Sequence, residues 1–82
     1  MKCILIVDDA KSIQLLLAKC MELNGFSVKT AGDGKTALEM LIREPFALAF
    51  LDIKLPIISG TEVLRRMREK GINVPVIIIT AF

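Results

Sequence analysis

The stretch CILIVDD, residues 3–9, decides the fold: five apolar residues in a row are followed directly by two aspartates. The apolar run is rich in β-branched residues and has no alternating polar positions, which is the pattern of a strand buried on both faces of a sheet. Two further apolar runs occupy residues 46–51 and 74–79. Strands of this kind are typical of α/β folds, in which helices cover both faces of a parallel sheet.

Helical patterns separate these strands. Residues 10–24, 35–43 and 61–69 carry apolar side chains at helical spacing, and a shorter strand with alternating polar residues is predicted at 26–30. The order βαβαβαβ predicts an α/β fold with a parallel sheet and right-handed crossovers. The residues of the first helix that we expect to face the sheet are Ile13, Leu16, Leu17 and Cys20.

Length and composition indicate one domain over residues 1–82, with 54% hydrophobic residues and a mean hydropathy of +0.60. That is more apolar surface than a small domain can hide, but no run reaches the about 20 residues of a spanning helix, so we expect no membrane association. Cys3 and Cys20 lie in apolar contexts and are expected to be buried thiols of a cytoplasmic protein. Because the chain has no histidine, Ser-His and Cys-His catalytic pairs are excluded, and a zinc or copper site is ruled out in practice.

The charged residues favour a solvated helix over a nucleic-acid site. The net charge is only +2, and Glu62 lies four residues before Arg66, as Arg65 lies four before Glu69. This spacing predicts ion pairs on an exposed helix face. With no Trp or Tyr to stack on bases, we expect no nucleic-acid partner.

Oxygen-bearing side chains stand at three strand ends: Asp8 and Asp9 after the first, Asp52 after the third and Thr80 after the fourth. In an open α/β sheet the functional crevice lies beyond these carboxyl ends. Neighbouring carboxylates raise one another's pKa unless a cation lies among them, and an oxygen-only ligand set suits Mg²⁺. Asp9 has an alternative role as the cap of the first helix. Asp33, after the second strand, is expected to lie outside this site in a plain βα turn.

Three segments, at residues 4–9, 51–60 and 76–81, match in order and spacing the receiver domain of bacterial response regulators, the CheY-like family, and the chain resembles that family from residue 2 to its end. The resemblance implies a flavodoxin-like parallel sheet with strand order 2-1-3-4. It also implies a C-terminally incomplete (βα)3β receiver, without the helix, strand and helix that end a whole receiver, and so without the site lysine of the fifth strand.

The same resemblance assigns roles to the residues at the strand ends. Asp52 is expected to accept a phosphoryl group from the phosphohistidine of a sensor histidine kinase or phosphotransfer protein. Mg²⁺ is expected to be held by Asp8, Asp9, Asp52 and the backbone carbonyl of Lys54. Thr80 is expected to donate its hydroxyl to the phosphoryl group and to couple phosphorylation to a change of shape. No enzymatic activity is implied beyond self-catalysed phosphotransfer and autodephosphorylation.

A second function stays open: a switch-defective or engineered receiver fragment that acts as a binding or self-assembly module. In the order 2-1-3-4 the fourth strand is an edge, and its isoleucines 77–79 carry no charge that would protect it from pairing. The first helix also has a wide apolar arc, with Leu15, Met21 and Leu23 beside the main stripe. We therefore expect a homodimer or higher oligomer through strand four and the first helix.

Overall fold

The computed structural model describes residues 2–79, which form a four-stranded parallel sheet and three helices. The elements are β1 (Cys3–Val7), α1 (Lys11–Leu23), β2 (Ser27–Ala31), α2 (Gly34–Arg43), β3 (Leu48–Asp52), α3 (Gly60–Glu69) and β4 (Val76–Ile79). The strand order is β2-β1-β3-β4, and all three pairings are parallel. The predicted fold and strand order are therefore confirmed.

Two strands begin two residues later than the apolar runs predict. Phe46 and Val74 lie before β3 and β4, yet both are buried in the core. An apolar run shows that a side chain is buried, but it does not distinguish a strand residue from a loop residue that packs against the same core.

The main core lies between the sheet and helices α2 and α3. Alternate residues of β1 and β3 point to this face, and they pack against the apolar side of the two helices. The buried residues from these four elements are Leu5, Val7, Ala49, Leu51, Ala37, Leu38, Leu41, Val63 and Met67. Ile4 and Ile6 point to the opposite face, which α1 covers, and are also fully buried. β1 is thus the strand covered on both sides, as its unbroken apolar run predicts.

Helix α1 presents a different side to the sheet from the one predicted. Leu16 is 61% exposed and Cys20 is also exposed, so their assignment to the buried stripe is wrong, as is the burial of the Cys20 thiol. Ile13 and Leu17 are half-buried, as predicted, and the other buried or half-buried residues of this side are Gln14, Ala18 and Met21. The helix is rotated because the Gln14 amide is hydrogen-bonded to backbone at the strand ends, which places a polar residue inside.

The exposed face of α3 carries the predicted ion pairs. Nε of Arg66 lies 2.8 Å from Oε2 of Glu62, and Nη1 of Arg65 lies 2.7 Å from Oε2 of Glu69. Hydrogen bonds from Arg65 and then Arg66 lower the pKa of Glu62 to about 2. Within the part of the chain that the structure describes, no helix has the length and apolar character needed to cross a membrane.

Candidate metal centre at the strand ends

Three carboxylates meet beyond the carboxyl ends of β1 and β3. Asp8, Asp9 and Asp52 each offer an oxygen, and these oxygens lie within 4.8 Å of one another. The pairing of Val7 with Leu51 explains this, because the next residues of the two parallel strands are Asp8 and Asp52. Asp8 and Asp52 are buried, whereas Asp9 is exposed. The three carboxylates therefore lie together, as the sequence predicts, with two of them buried and one exposed.

The electrostatics of the cluster favour a cation. Burial raises the pKa of Asp8, and the neighbouring charges of Asp52 and Asp9 raise it further, against the lowering effect of a hydrogen bond from the Ala10 N–H. The ion pairs within residues 2–79 lie elsewhere, between Lys29 and Glu44 and along α3. Crowded carboxylate oxygens are the ligand set that Mg²⁺ prefers, so these residues fit that ion.

The start of α3 packs directly on the backbone of Asp52. The N–H of Gly60 donates to the carbonyl of Ile53 at 2.8 Å, and a Cβ added at Gly60 would lie 2.0 Å from the carbonyl oxygen of Asp52. The N–H of Lys54 donates to Oδ1 of Asp52 at 3.2 Å. Backbone on the C-terminal side of Asp52 thus orients its carboxylate, and residue 60 must be glycine for the chain to approach so closely.

The loop between β3 and α3 is also fixed to the start of α2. The carbonyl of Pro56 accepts hydrogen bonds from Ile58 at 2.8 Å and from Gly34 at 3.2 Å. The bond from Ile58 closes a tight turn around Ile57, whose φ is +71°. A Cβ at Gly34 would lie 1.9 Å from the carbonyl oxygen of Ile58. The loop that follows Asp52 is therefore held by backbone contacts with the start of α2 and with the start of α3.

Of the two aspartates considered for roles outside the metal site, Asp33 caps a helix and Asp9 does not. The N-cap residue of α1 is Ala10, so the alternative role of Asp9 as the cap is wrong. Asp33 is the N-cap of α2 and accepts hydrogen bonds from the N–H of Thr36 at 2.7 Å and from its hydroxyl at 2.9 Å. These bonds, the backbone one first, lower the pKa of Asp33. Asp33 lies outside the three-carboxylate cluster, as predicted.

The sequence prediction missed one residue beside the site and named another that lies outside the described residues. Gln14 is buried, and its Nε2 donates to the carbonyl oxygens of Asp8 at 2.5 Å and Ala31 at 3.4 Å. The helix sequence gives no signal of this burial, because both acceptors of the amide lie outside the helix. Thr80 lies outside the described residues.

Comparison with known proteins identifies the family. A family model for the response regulator receiver domain matches residues 4–82. The chain belongs to the response regulator receiver family. Among curated relatives, this receiver is 38% identical to response regulator MprA of Mycobacterium leprae over 78 residues, which are 95% of this chain and 34% of that protein. The receiver thus spans about a third of this relative's length.

Solved receiver structures agree with the fold. The receiver superposes on response regulator TrrA of Thermotoga maritima in complex with Mg²⁺-BeF with a TM-score of 0.93 and 38% identity, over 100% of this chain and 71% of that one. TrrA in complex with the histidine kinase ThkA gives a TM-score of 0.90 at 38% identity, with the same shares covered. The predicted membership of a two-component signalling family with a CheY-like fold is confirmed.

Proposed function

We propose that residues 1–82 act as the phosphoacceptor part of a response regulator, in which Asp52 accepts a phosphoryl group from a histidine kinase or phosphotransfer protein. The observation that carries this proposal is the convergence of Asp8, Asp9 and Asp52 at one edge of a receiver sheet. The complexes of TrrA with Mg²⁺-BeF and with a histidine kinase support the same partners here.

The transfer is a displacement at phosphorus. A carboxylate oxygen of Asp52 attacks the phosphorus of the donor's phosphohistidine, the P–N bond breaks, and its electron pair returns to the imidazole, which leaves an acyl phosphate on Asp52. The N–H of Lys54 orients the attacking carboxylate. Asp8, Asp9, Asp52 and the backbone carbonyl of Lys54 would hold Mg²⁺, which when bound neutralises charge on the transferring oxygens. We assign the switch role to the Thr80 hydroxyl.

Incubation with acetyl phosphate and Mg²⁺, followed by intact-mass measurement, tests the proposal. We expect the mass of one added phosphoryl group, and its loss in Asp52→Asn. Asp33→Asn is the matched control, because it removes a carboxylate that also follows a strand but lies outside the cluster. An unmodified wild type, or a modified Asp52→Asn, contradicts the assignment of Asp52.

A second candidate function, self-assembly, is favoured by the exposure of β4. Ile77 is 47% and Ile78 is 40% exposed, and the strand that pairs with β4 within residues 2–79 is β3. On α1, Leu15 and Leu23 are exposed as predicted, whereas Met21 is half-buried. We propose that the 82-residue chain associates through β4 and α1 into a homodimer or higher oligomer.

Light scattering at micromolar concentration tests this association. We expect a mass above 9.0 kDa that returns to the monomer value in Ile77→Lys, since a charge on the edge strand opposes strand pairing. Lys35→Arg on α2 serves as a surface control. A wild type that stays at 9.0 kDa at all concentrations overturns the self-assembly proposal and leaves the phosphoacceptor proposal standing.

A further inference from the structure

A buried amide connects helix α1 to the acidic site. Gln14 is 6% exposed, and it lies on the side of α1 that otherwise places Leu17, Ala18 and Met21 against the sheet. Burying an amide is unfavourable unless it is hydrogen-bonded, and a methionine would fill a similar volume without that cost. What glutamine adds at this position is its N–H donors, so their acceptors indicate its role.

Both acceptors lie at the strand ends that form the site. Nε2 of Gln14 donates to the carbonyl of Asp8 at 2.5 Å and to the carbonyl of Ala31 at 3.4 Å. The same Ala31 carbonyl accepts the N–H of Asp8 at 3.1 Å. Gln14 therefore joins the end of β1 to the end of β2 at the point where the chain leaves the sheet.

The Asp8 carbonyl belongs to the peptide group that connects Asp8 to Asp9. Its orientation sets the direction in which the exposed Asp9 side chain leaves the backbone. The N–H of Asp8 is held by Ala31, and Oδ1 of Asp8 accepts the N–H of Ala10 at 2.9 Å. The bond from Gln14 fixes the remaining part of this turn, the peptide plane itself.

We propose that Gln14 is a positioning residue for the divalent cation site: by holding the peptide between Asp8 and Asp9, it keeps the Asp9 carboxylate within reach of Asp8 and Asp52. This inference rests on the proposed function, because it takes the three carboxylates as Mg²⁺ ligands. Loss of a hydrogen-bonding partner behind a metal ligand typically weakens metal binding by about 10–100-fold.

The test compares Mg²⁺ affinities of folded variants by amide-shift titration at residues 8, 9 and 52. Gln14→Met keeps the length of the side chain and removes its donors, and we expect its Kd for Mg²⁺ to rise about tenfold. Leu17→Ala is the matched control, because it loosens the same helix face from the sheet through a side chain that cannot hydrogen-bond. We expect Leu17→Ala to be less stable but to keep the wild-type Kd. Gln14→Asn is shorter by one methylene group, and we expect the same rise in its Kd for Mg²⁺. It replaces Gln14→Met in the test if Gln14→Met does not fold.

A second measurement needs no metal. Without Mg²⁺, hydrogen exchange at the amide of Ala10, which donates to Oδ1 of Asp8, is expected to be faster in Gln14→Met than in Leu17→Ala. If both Gln14 variants bind Mg²⁺ with the wild-type Kd, the positioning role is wrong and the cation site stands. If the Kd of Leu17→Ala rises as much as that of Gln14→Met, the effect comes from helix packing alone, and the positioning role is again wrong. No shift at residues 8, 9 and 52 of the wild type up to tens of millimolar Mg²⁺ overturns the cation site itself, and this inference with it.

Discussion

Ile57→Gly is expected to stabilise the receiver although it removes a large apolar side chain. Ile57 has a φ of +71°, a region that β-branched L-residues avoid, and its side chain is 75% exposed. Strain of this kind costs about 1–3 kcal/mol, and glycine accepts positive φ without it. Glycine in turn loses about 0.5–1 kcal/mol more backbone entropy on folding. The net expectation is a gain of about 1 kcal/mol in the free energy of unfolding, or about 4–8 °C in Tm for a domain of this size.

Urea denaturation followed by circular dichroism measures this gain directly. Ile57→Val is the control at the same position, because it keeps the β-branch and with it the strain, and we expect its stability to stay within about 0.5 kcal/mol of wild type. Asparagine also tolerates positive φ, so Ile57→Asn should raise the free energy of unfolding as Ile57→Gly does. If Ile57→Gly is no more stable than Ile57→Val, the turn around Ile57 is not strained and the reasoning fails.

Three further changes test other parts of the structure. Gly60→Ala is expected to destabilise the receiver by about 1–3 kcal/mol in urea denaturation, because its Cβ would overlap the carbonyl of Asp52; wild-type stability would show that the approach of α3 is looser than described. Asp33→Ala should cost about 1 kcal/mol at neutral pH through the lost cap of α2. Because folding lowers the pKa of Asp33, this contribution is present above the unfolded pKa of about 3.9 and disappears as pH falls through the folded pKa. Plotted against pH, the free energies of unfolding of wild type and Asp33→Ala should therefore converge in acid. Asp8→Asn should stabilise the metal-free receiver in urea denaturation, since burial and neighbouring carboxylates disfavour the charged form, and should weaken Mg²⁺ binding in the same samples. A less stable metal-free variant would contradict this.

The sheet and the acidic cluster could be predicted because each depends on a local pattern. The unbroken apolar run of β1 indicates a strand covered on both faces. Aspartates that directly follow paired residues of neighbouring parallel strands lie side by side, as Asp8 and Asp52 do. The order of the strands came with the family resemblance. The prediction of a Mg²⁺ site rests on the chemistry of carboxylates at that edge, and the ligand set stays a prediction.

The rotation of α1 could not be predicted, because hydropathy places Gln14 on the solvent side. Its burial depends on two carbonyl oxygens supplied by β1 and β2, which the helix sequence does not reveal. The turn at Ile57 was missed for a similar reason: isoleucine is disfavoured at positive φ, and the conformation is imposed by backbone contacts of the loop on both sides. Sequence patterns thus predict which faces are apolar, and tertiary hydrogen bonds decide the exceptions.

The close approach of Gly34 to Ile58 determines which segments of this receiver can be exchanged with those of a relative. The β2–α2 turn and the β3–α3 loop meet backbone to backbone, with no side chain between them to absorb a difference in loop shape. A chimera that takes its β3–α3 loop from another receiver therefore has to bring a compatible β2–α2 turn as well. These two loops, 24 residues apart at the contact between Gly34 and Ile58, form a single unit for protein engineering.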